Sequence, residues 1–503
     1  MKTRRAVGVF VVGVLFFGSS SFAATRYVNV SNATPAAPYT NWATAATAIQ
    51  PAIDAAASGD EILVAPGTYL LTGSEVYIPI DKALTLRSTQ SRAAIIDAQG
   101  LSRGVRVQGT NSTLDGFTVC NGRADPSGGG ISVGRFCTVR NCLITSNSAI
   151  TGGGLMVFGE AINARVEDCT IADNVAGYSG GGVALYNNSY GSLDRCVVRD
   201  NVASNYGGGV WVQYGGSISN SWIGGNRTLQ SDGGGIYLDY QGTTNPAVVV
   251  NTVLAGNAAA RFGGGVYSVG PVGTLSPIVN CTIVSNTAGV DGGGAWAKTT
   301  RFINDILYFN SAPTNANLNA HDSELSCLIS NCCTTSNYFW PNITDAPAFV
   351  DAGAGDFRLA TASFCIDAGT TNGAPRTDIE GNPRPRIGKP VVLGATTTNC
   401  DIGAYEYGFH FNEIQTVSSN AVRFQWDVQD LGRYRLDAAT NWAADPLHPV
   451  WNAVQTYTQS TAVGLGQFAV HAATVTNPTP PMPGNAIFRL SVDRAGFGKR
   501  RGR

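Results

Sequence analysis

Histidine is nearly absent: the chain of 503 residues has four, at His321, His410, His448 and His471. None precedes His321, so a mechanism built on an imidazole base is excluded from the chain before that point. No two are spaced as metal ligands, and the sequence implies neither a metal nor a cofactor. Charge is scarce as well. Only 13% of residues are charged, and 33 basic residues stand against 34 acidic ones for a formal net charge of −1. Such a balance leaves no basic footprint for nucleic acid. Long apolar runs are missing beyond the N-terminal segment, so no later segment reads as a membrane span.

The N-terminus carries the one apolar run. Lys2, Arg4 and Arg5 precede an apolar stretch over residues 6–17, which is too short to span a bilayer. Small and polar residues follow, and Ser21-Phe22-Ala23 fits a small-x-small cleavage site. A secretory signal is expected over 1–24. The mature chain is then secreted or held at a bacterial cell surface, with no transmembrane segment.

What is plentiful is glycine, with 61 residues. Gly-Gly-Gly begins at Gly128, Gly152, Gly180, Gly207, Gly233, Gly263 and Gly292. The near-constant step between triplets is a period of the length that marks solenoids and other repeat architectures. A second mark keeps phase with it: an aliphatic residue, two others, then asparagine. It recurs as Ile144…Asn147, Ile171…Asn174, Val198…Asn201, Ile223…Asn226, Leu254…Asn257, Ile283…Asn286 and Leu307…Asn310. Two residues before each aliphatic stands Cys142, Cys169, Cys196, Ser221, Thr252, Cys281 or Asp305. Small, variable, aliphatic is the alternation of a strand with one face inward. The residues after each triplet alternate likewise, as in Val210-Trp211-Val212. A unit this short, with at least two short strands, cannot bury its apolar face alone. Stacking like units buries it. The expected fold is all-β, a right-handed parallel β-helix with ladders of asparagine and cysteine, because parallel crossovers take the right hand.

The Gly-Gly-Gly-aliphatic and aliphatic-x-x-Asn repeats resemble those of polymorphic outer-membrane proteins and other pectin-lyase-like β-helices, over roughly residues 115–310. The start is also similar to many exported bacterial β-helices: Tyr27-Val28-Asn29-Val30, Gly59-Asp60-Glu61-Ile62-Leu63-Val64 and Gly67-Thr68-Tyr69. Between them, residues 44–57 read as an amphipathic helix that caps the open end of the core. A third resemblance lies in 345–407. Phe349-Val350-Asp351, Cys365-Ile366-Asp367-Ala368-Gly369, Asp378-Ile379-Glu380-Gly381-Asn382-Pro383-Arg384-Pro385 and Asp401-Ile402-Gly403-Ala404-Tyr405-Glu406 resemble the choice-of-anchor Q region of β-helix surface proteins. That resemblance implies surface display. The expected organisation is a signal at 1–24, the β-helix with its cap at 25–344, the anchor-like region at 345–407, a small β-sandwich-like domain at 408–495 and a basic tail at 496–503.

Candidate function sits on the outward side of the strand after each triplet. Its second residue is Trp211, Tyr237, Tyr267 and Trp296 in four consecutive units. Tyr186, Asp239 and Lys298 stand two places further along their own strands. Coils about 4.8 Å apart match the repeat of a sugar polymer, and flat aromatic rings suit the apolar faces of sugars. The column is therefore the candidate site for an extracellular polysaccharide or cell-surface glycan. The alternatives are burial under another segment and no role beyond strand propensity.

No catalytic residue stands out. A hydrolase needs a carboxylate pair at a set separation, and the acids here have structural explanations. Asp173 and Asp200 precede ladder asparagines in turns, and Asp168 aligns with Arg195 for an ion pair across coils. The polygalacturonase-type motif set is missing. Lys298 with Asp239, or Arg261 with Asp291, are weak candidates for lyase chemistry. Of the eleven cysteines, Cys142, Cys169, Cys196 and Cys281 are expected as stacked core thiols, and a disulfide remains open among Cys327, Cys332, Cys333, Cys365 and Cys400. Three functions are left: a non-catalytic glycan binder, a polysaccharide lyase, or a surface scaffold.

Overall fold

The computed structural model describes residues 23–158, 163–186, 190–240, 242, 245–320, 327–335, 341–385 and 399–407, with six strands beyond them. Residues 1–22 of the expected signal and the basic tail lie outside the described residues. The body is a right-handed parallel β-solenoid of stacked coils, as the repeats predict. Each central coil holds four strands rather than the two plainest in sequence. In one coil these are Ser192–Asp194, Val197–Arg199, Val202–Ala203 and Val210–Gln213. Their counterparts stack into a first sheet of 12 strands, a second of 11, a third of 7 and a fourth of 10. Register is strict: Ile171, Val198, Ile223, Leu254 and Ile283 align along the second sheet, all inward and buried.

Three left-handed residues turn the chain in each coil. Between the first and second sheets stand Asn141, Asp168, Arg195, Asn220, Asn251, Asn280, Asn304 and Asn331, at φ near +50°. Between the second and third stand Asp173, Asp200 and their equivalents. Asparagine and aspartate tolerate this region because their short side chains bond locally. The first glycine of each triplet is the third corner, at φ +62° to +71°.

The asparagine ladder lies just past the second corner. Asn174 donates Nδ2 to Asn201 Oδ1 at 3.0 Å and to the Ile144 carbonyl at 3.0 Å, and its backbone N–H goes to the same Asn201 Oδ1. The pattern repeats from Asn147 to Asn310, where Asn317 takes over as the acceptor. Only a side-chain amide has both donors and an acceptor at this length. The glycine triplet belongs to the same device. A Cβ on Gly182 would stand 2.9 Å from Asn201 Nδ2, and one on Gly181 would stand 2.3 Å from the Gly208 carbonyl.

The cysteine column is inward as expected. Cys142, Cys169, Cys196 and Cys281 are buried, each thiol donating to the carbonyl two residues before it. All eleven cysteines stand as free thiols, those outside the column included. The cap helix is Ile49–Ala55, shorter than the sequence reading. Ile49, Ala52 and Ile53 close the core's end, and Lys82 Nζ donates to the terminal carbonyls of Ile53 and Asp54.

The described residues 345–385 and 399–407 pack sideways. Phe357, Leu359, Ile366, Ile402 and Ala404 join the outward residues Val253, Val284 and Ile306 of the second sheet in a second apolar cluster. Asn280 Nδ2 and Asn304 Nδ2, at the first corner, donate to the Asp401 and Thr370 carbonyls of this segment. Its motif residues form a buried polar knot. Arg384 Nη1 lies 2.7 Å from Glu406 Oε2 and both are fully buried. Asp378 accepts from the Glu406, Glu380 and Asn382 N–H groups. Beyond residue 410 the strands form two three-stranded antiparallel sheets, consistent with a small extra domain.

Replacing Asn201 by alanine leaves the Asn174 donors without their acceptor and the Ile171 carbonyl without its side-chain donor, while the backbone N–H of residue 201 still reaches Asn226 Oδ1. At about 1–3 kcal/mol for an unsatisfied buried group, the loss expected is about 3 kcal/mol, read as a lower urea midpoint. The knot adds a pH signature. Burial, then the Glu406 charge, pushes the Asp401 carboxyl up to about 8. The unfolded chain releases that proton near pH 4. Folding therefore takes up a proton between about 4 and 8, and stability falls as pH rises through that window. The urea midpoint should decline from pH 5 to 8. Asp401→Asn should lower it throughout and flatten the slope.

Candidate functional site

The outward residues of the fourth sheet run in one register: Tyr77, Arg106, Ser132, Met156, Ala184, Trp211, Tyr237, Tyr267, Trp296 and Asn319. The column predicted from sequence is thus brought together. Ring centroids are 4.7 Å apart between Tyr237 and Tyr267 and 4.6 Å between Tyr267 and Trp296, with planes inclined by 16° and 5°. These separations are the strand spacing itself, about 4.8 Å. The rings lie face to face along the solenoid axis, so their flat faces largely meet one another and their edges meet the surface.

Burial is graded along the column. Trp211 is only 8% exposed, and Tyr237, Tyr267 and Trp296 are half-buried. Trp211 is covered on one side by Tyr186, at 5.4 Å between centroids, and Phe158 stacks in turn on Tyr186. On the other side Tyr206 leans on Tyr237 at 4.7 Å and meets Tyr178 edge-on. Phe262 lies against Trp296, with Arg261 over its ring at 4.8 Å. This third row escaped the sequence reading. Its signal was there, since Tyr206 and Phe262 directly precede their glycine triplets.

Polar groups edge the rings. Asp232 is buried beside the third row, accepting from the Phe262 N–H and from Ser231 Oγ. Burial pushes its carboxyl up, against the Ser231 bond and the Arg261 charge. Burial also raises the Tyr237 phenol, helped by Tyr267 and Asp239, and takes Tyr267 to about 12, helped by Asp232. Both phenols are therefore neutral hydrogen-bond donors at physiological pH and poor general bases. Asp239 and Lys298 stand two coils apart, with Val269 between them.

The other acid–base candidates have structural partners. Asp168 holds Arg195 by two bonds of 2.8 and 3.0 Å, the expected ion pair. Asp291 accepts from Asn315 and Asn319. Arg261 instead acts on Asp232 and Tyr267. Among the described residues no three of His, Cys, Asp or Glu converge in the manner of metal ligands. No helix among them is long and apolar enough to cross a membrane.

Residues 98–253 match the family model described as the right handed beta helix region. No curated protein matches the chain. Among solved structures, pectate lyase Pel9A superposes with a TM-score of 0.51 at 17% identity, covering 77% of this chain and 97% of its own. A rhamnogalacturonan lyase gives 0.41 at 14%, covering 70% and 97%, and XylC in complex with xylose gives 0.43 at 10%, covering 76% and 98%. At 17% identity the likeness to Pel9A shows the fold alone.

Tyr267 tests the stack because neighbours flank both its faces. Tyr267→Ala should cost about 2 kcal/mol, while Tyr267→Phe keeps the ring and should stay near wild type. Urea denaturation of the two variants checks this.

Proposed function

We propose that this protein is a secreted or cell-surface β-helix that binds an extracellular polysaccharide along its fourth sheet, without catalysis. The observation that carries this reading is the in-register aromatic column, Trp211, Tyr237, Tyr267 and Trp296, whose last three members reach the surface, with Tyr186 at the Trp211 end and Asp239 and Lys298 further along the strands. Four stacked coils present one chemical motif at about the repeat of a sugar chain. Ring edges and neutral phenol groups suit sugar C–H groups and hydroxyls. Export follows from the N-terminal segment as read in the sequence.

Catalysis is the second reading, as a polysaccharide lyase, and the fold shared with a pectate lyase is what favours it. Against it stand the raised phenols and the structural engagement of Asp168 and Asp291.

Affinity electrophoresis against a panel of polysaccharides separates these readings. Wild type should be retarded by at least one polymer, and Trp296→Ala with Tyr186→Ala should remove most of that retardation while the circular dichroism spectrum is unchanged. Absence of retention across the panel sinks the binding reading. Incubation with uronate polymers should release no unsaturated, ultraviolet-absorbing product; its appearance would make the protein a lyase.

A further inference from the structure

The fourth sheet also carries a cleft of about 550 Å³ near the capped end of the solenoid, lined by Gln50, Glu75, Tyr77, Arg103, Arg106 and Arg123, with Asp125 at its edge. Tyr77 and Arg106 occupy the same outward column as the aromatic stripe. Arg106 stands four coils before Trp211, roughly 19 Å at about 4.8 Å per coil. Three guanidinium groups face two carboxylates here, an excess of positive charge in a chain whose formal net charge is −1.

The three arginines differ in what they have left to give. Arg103 is spent: Nε donates to the Gly128 carbonyl, Nη2 to the Ser127 carbonyl and Nη1 to Glu75 Oε2. Glu75 then reaches Arg106, with Oε1 at 2.8 Å from Nε. That N–H is not aimed at the oxygen, and Arg106 Nε is buried without a hydrogen-bond acceptor. The Arg106 guanidinium sits over the Tyr77 ring at 5.8 Å. Tyr77 is fixed in turn by Gln50, which accepts from its N–H at 2.8 Å. Arg123 is exposed at the mouth and makes no ion pair among the described residues. One arginine and one glutamate thus build the wall, while Arg106, whose side chain is 37% exposed, and Arg123 line the cleft with Nη donors that no acceptor among the described residues takes.

We infer that this cleft is an oxyanion subsite that takes the carboxylate or sulfate of an acidic sugar, with Arg106 and Arg123 as its charge partners. Planar guanidinium groups with free donors match such oxyanions in pairs of bonds. Arg103 and Glu75 position Arg106, and Tyr77 holds its guanidinium plane. The inference rests on the reading of the fourth-sheet face as a polysaccharide surface, and narrows it to acidic polymers.

The test uses the full chain with polygalacturonate, dextran sulfate and neutral dextran and galactan as probes. Wild type should bind at least one acidic polymer, and which one distinguishes carboxylate from sulfate. Arg123→Ala and Arg106→Gln should each weaken that binding about tenfold or more, and leave retention by a neutral glycan unchanged. Arg227→Ala, at an exposed arginine of the third sheet, should leave acidic binding at the wild-type level. Unchanged acidic binding by Arg123→Ala overturns the inference, as does an equal loss in Arg227→Ala, which marks diffuse polyelectrolyte attraction. A wild type that binds neutral glycans but no acidic polymer overturns this inference and leaves the binding function standing; one that binds nothing overturns both.

Discussion

Everything in this solenoid hangs on the buried asparagine ladder. A parallel coil must turn sharply without stranding its backbone groups in an apolar interior. Each ladder asparagine satisfies a carbonyl of the preceding coil and the amide of its neighbour, then presents its own oxygen for the same bonds. The device works only at a fixed coil separation, and so it imposes the register of all four sheets. The glycine triplet is its counterpart, because the ladder side chain occupies the space where a Cβ would go. Insertions between triplets vary the loops and leave this corner unchanged, which is why the repeat length can drift from coil to coil without breaking the ladder.

A solenoid so regular has long faces that need different covers. On the second sheet the later coils carry apolar residues outward as well as inward, and Phe357, Leu359, Ile366, Ile402 and Ala404 lie over them. The charged motif residues Asp378, Arg384, Asp401 and Glu406 of that cover are buried and bonded to one another or to backbone. They hold the segment to the corner asparagines. On the fourth sheet the covering material is aromatic, and it comes from the coils themselves.

That difference shapes what the fourth sheet can do. Strict register places like rings at the distance at which they stack, so the ladder that makes the column also consumes its flat faces. What remains for a ligand is a ridge of ring edges, phenol donors and flanking charges, with the arginine cleft four coils away on the same sheet. Burial by neighbours raises the phenols further above their ordinary range.

Much of this was legible in the residues. The triplets and asparagines define a period, the alternation on either side defines inward and outward, and coil stacking then makes the Trp211–Trp296 column a matter of counting. The Asp168–Arg195 pair followed from the same count. Three things belonged to the tertiary structure alone. The first-sheet strands are as long as those of the second but carry no repeated residue type to mark them, and the later third-sheet strands hold only two residues each. The graded burial of the column depends on Tyr186 and Tyr206, whose reach across the sheet is set by packing. The cleft joins the Gln50 helix to coils up to Arg123, a contact between sequence-distant residues that repeat counting cannot supply. Periodicity is a local property and survives in one dimension, whereas exposure and convergence exist only once the coils are stacked.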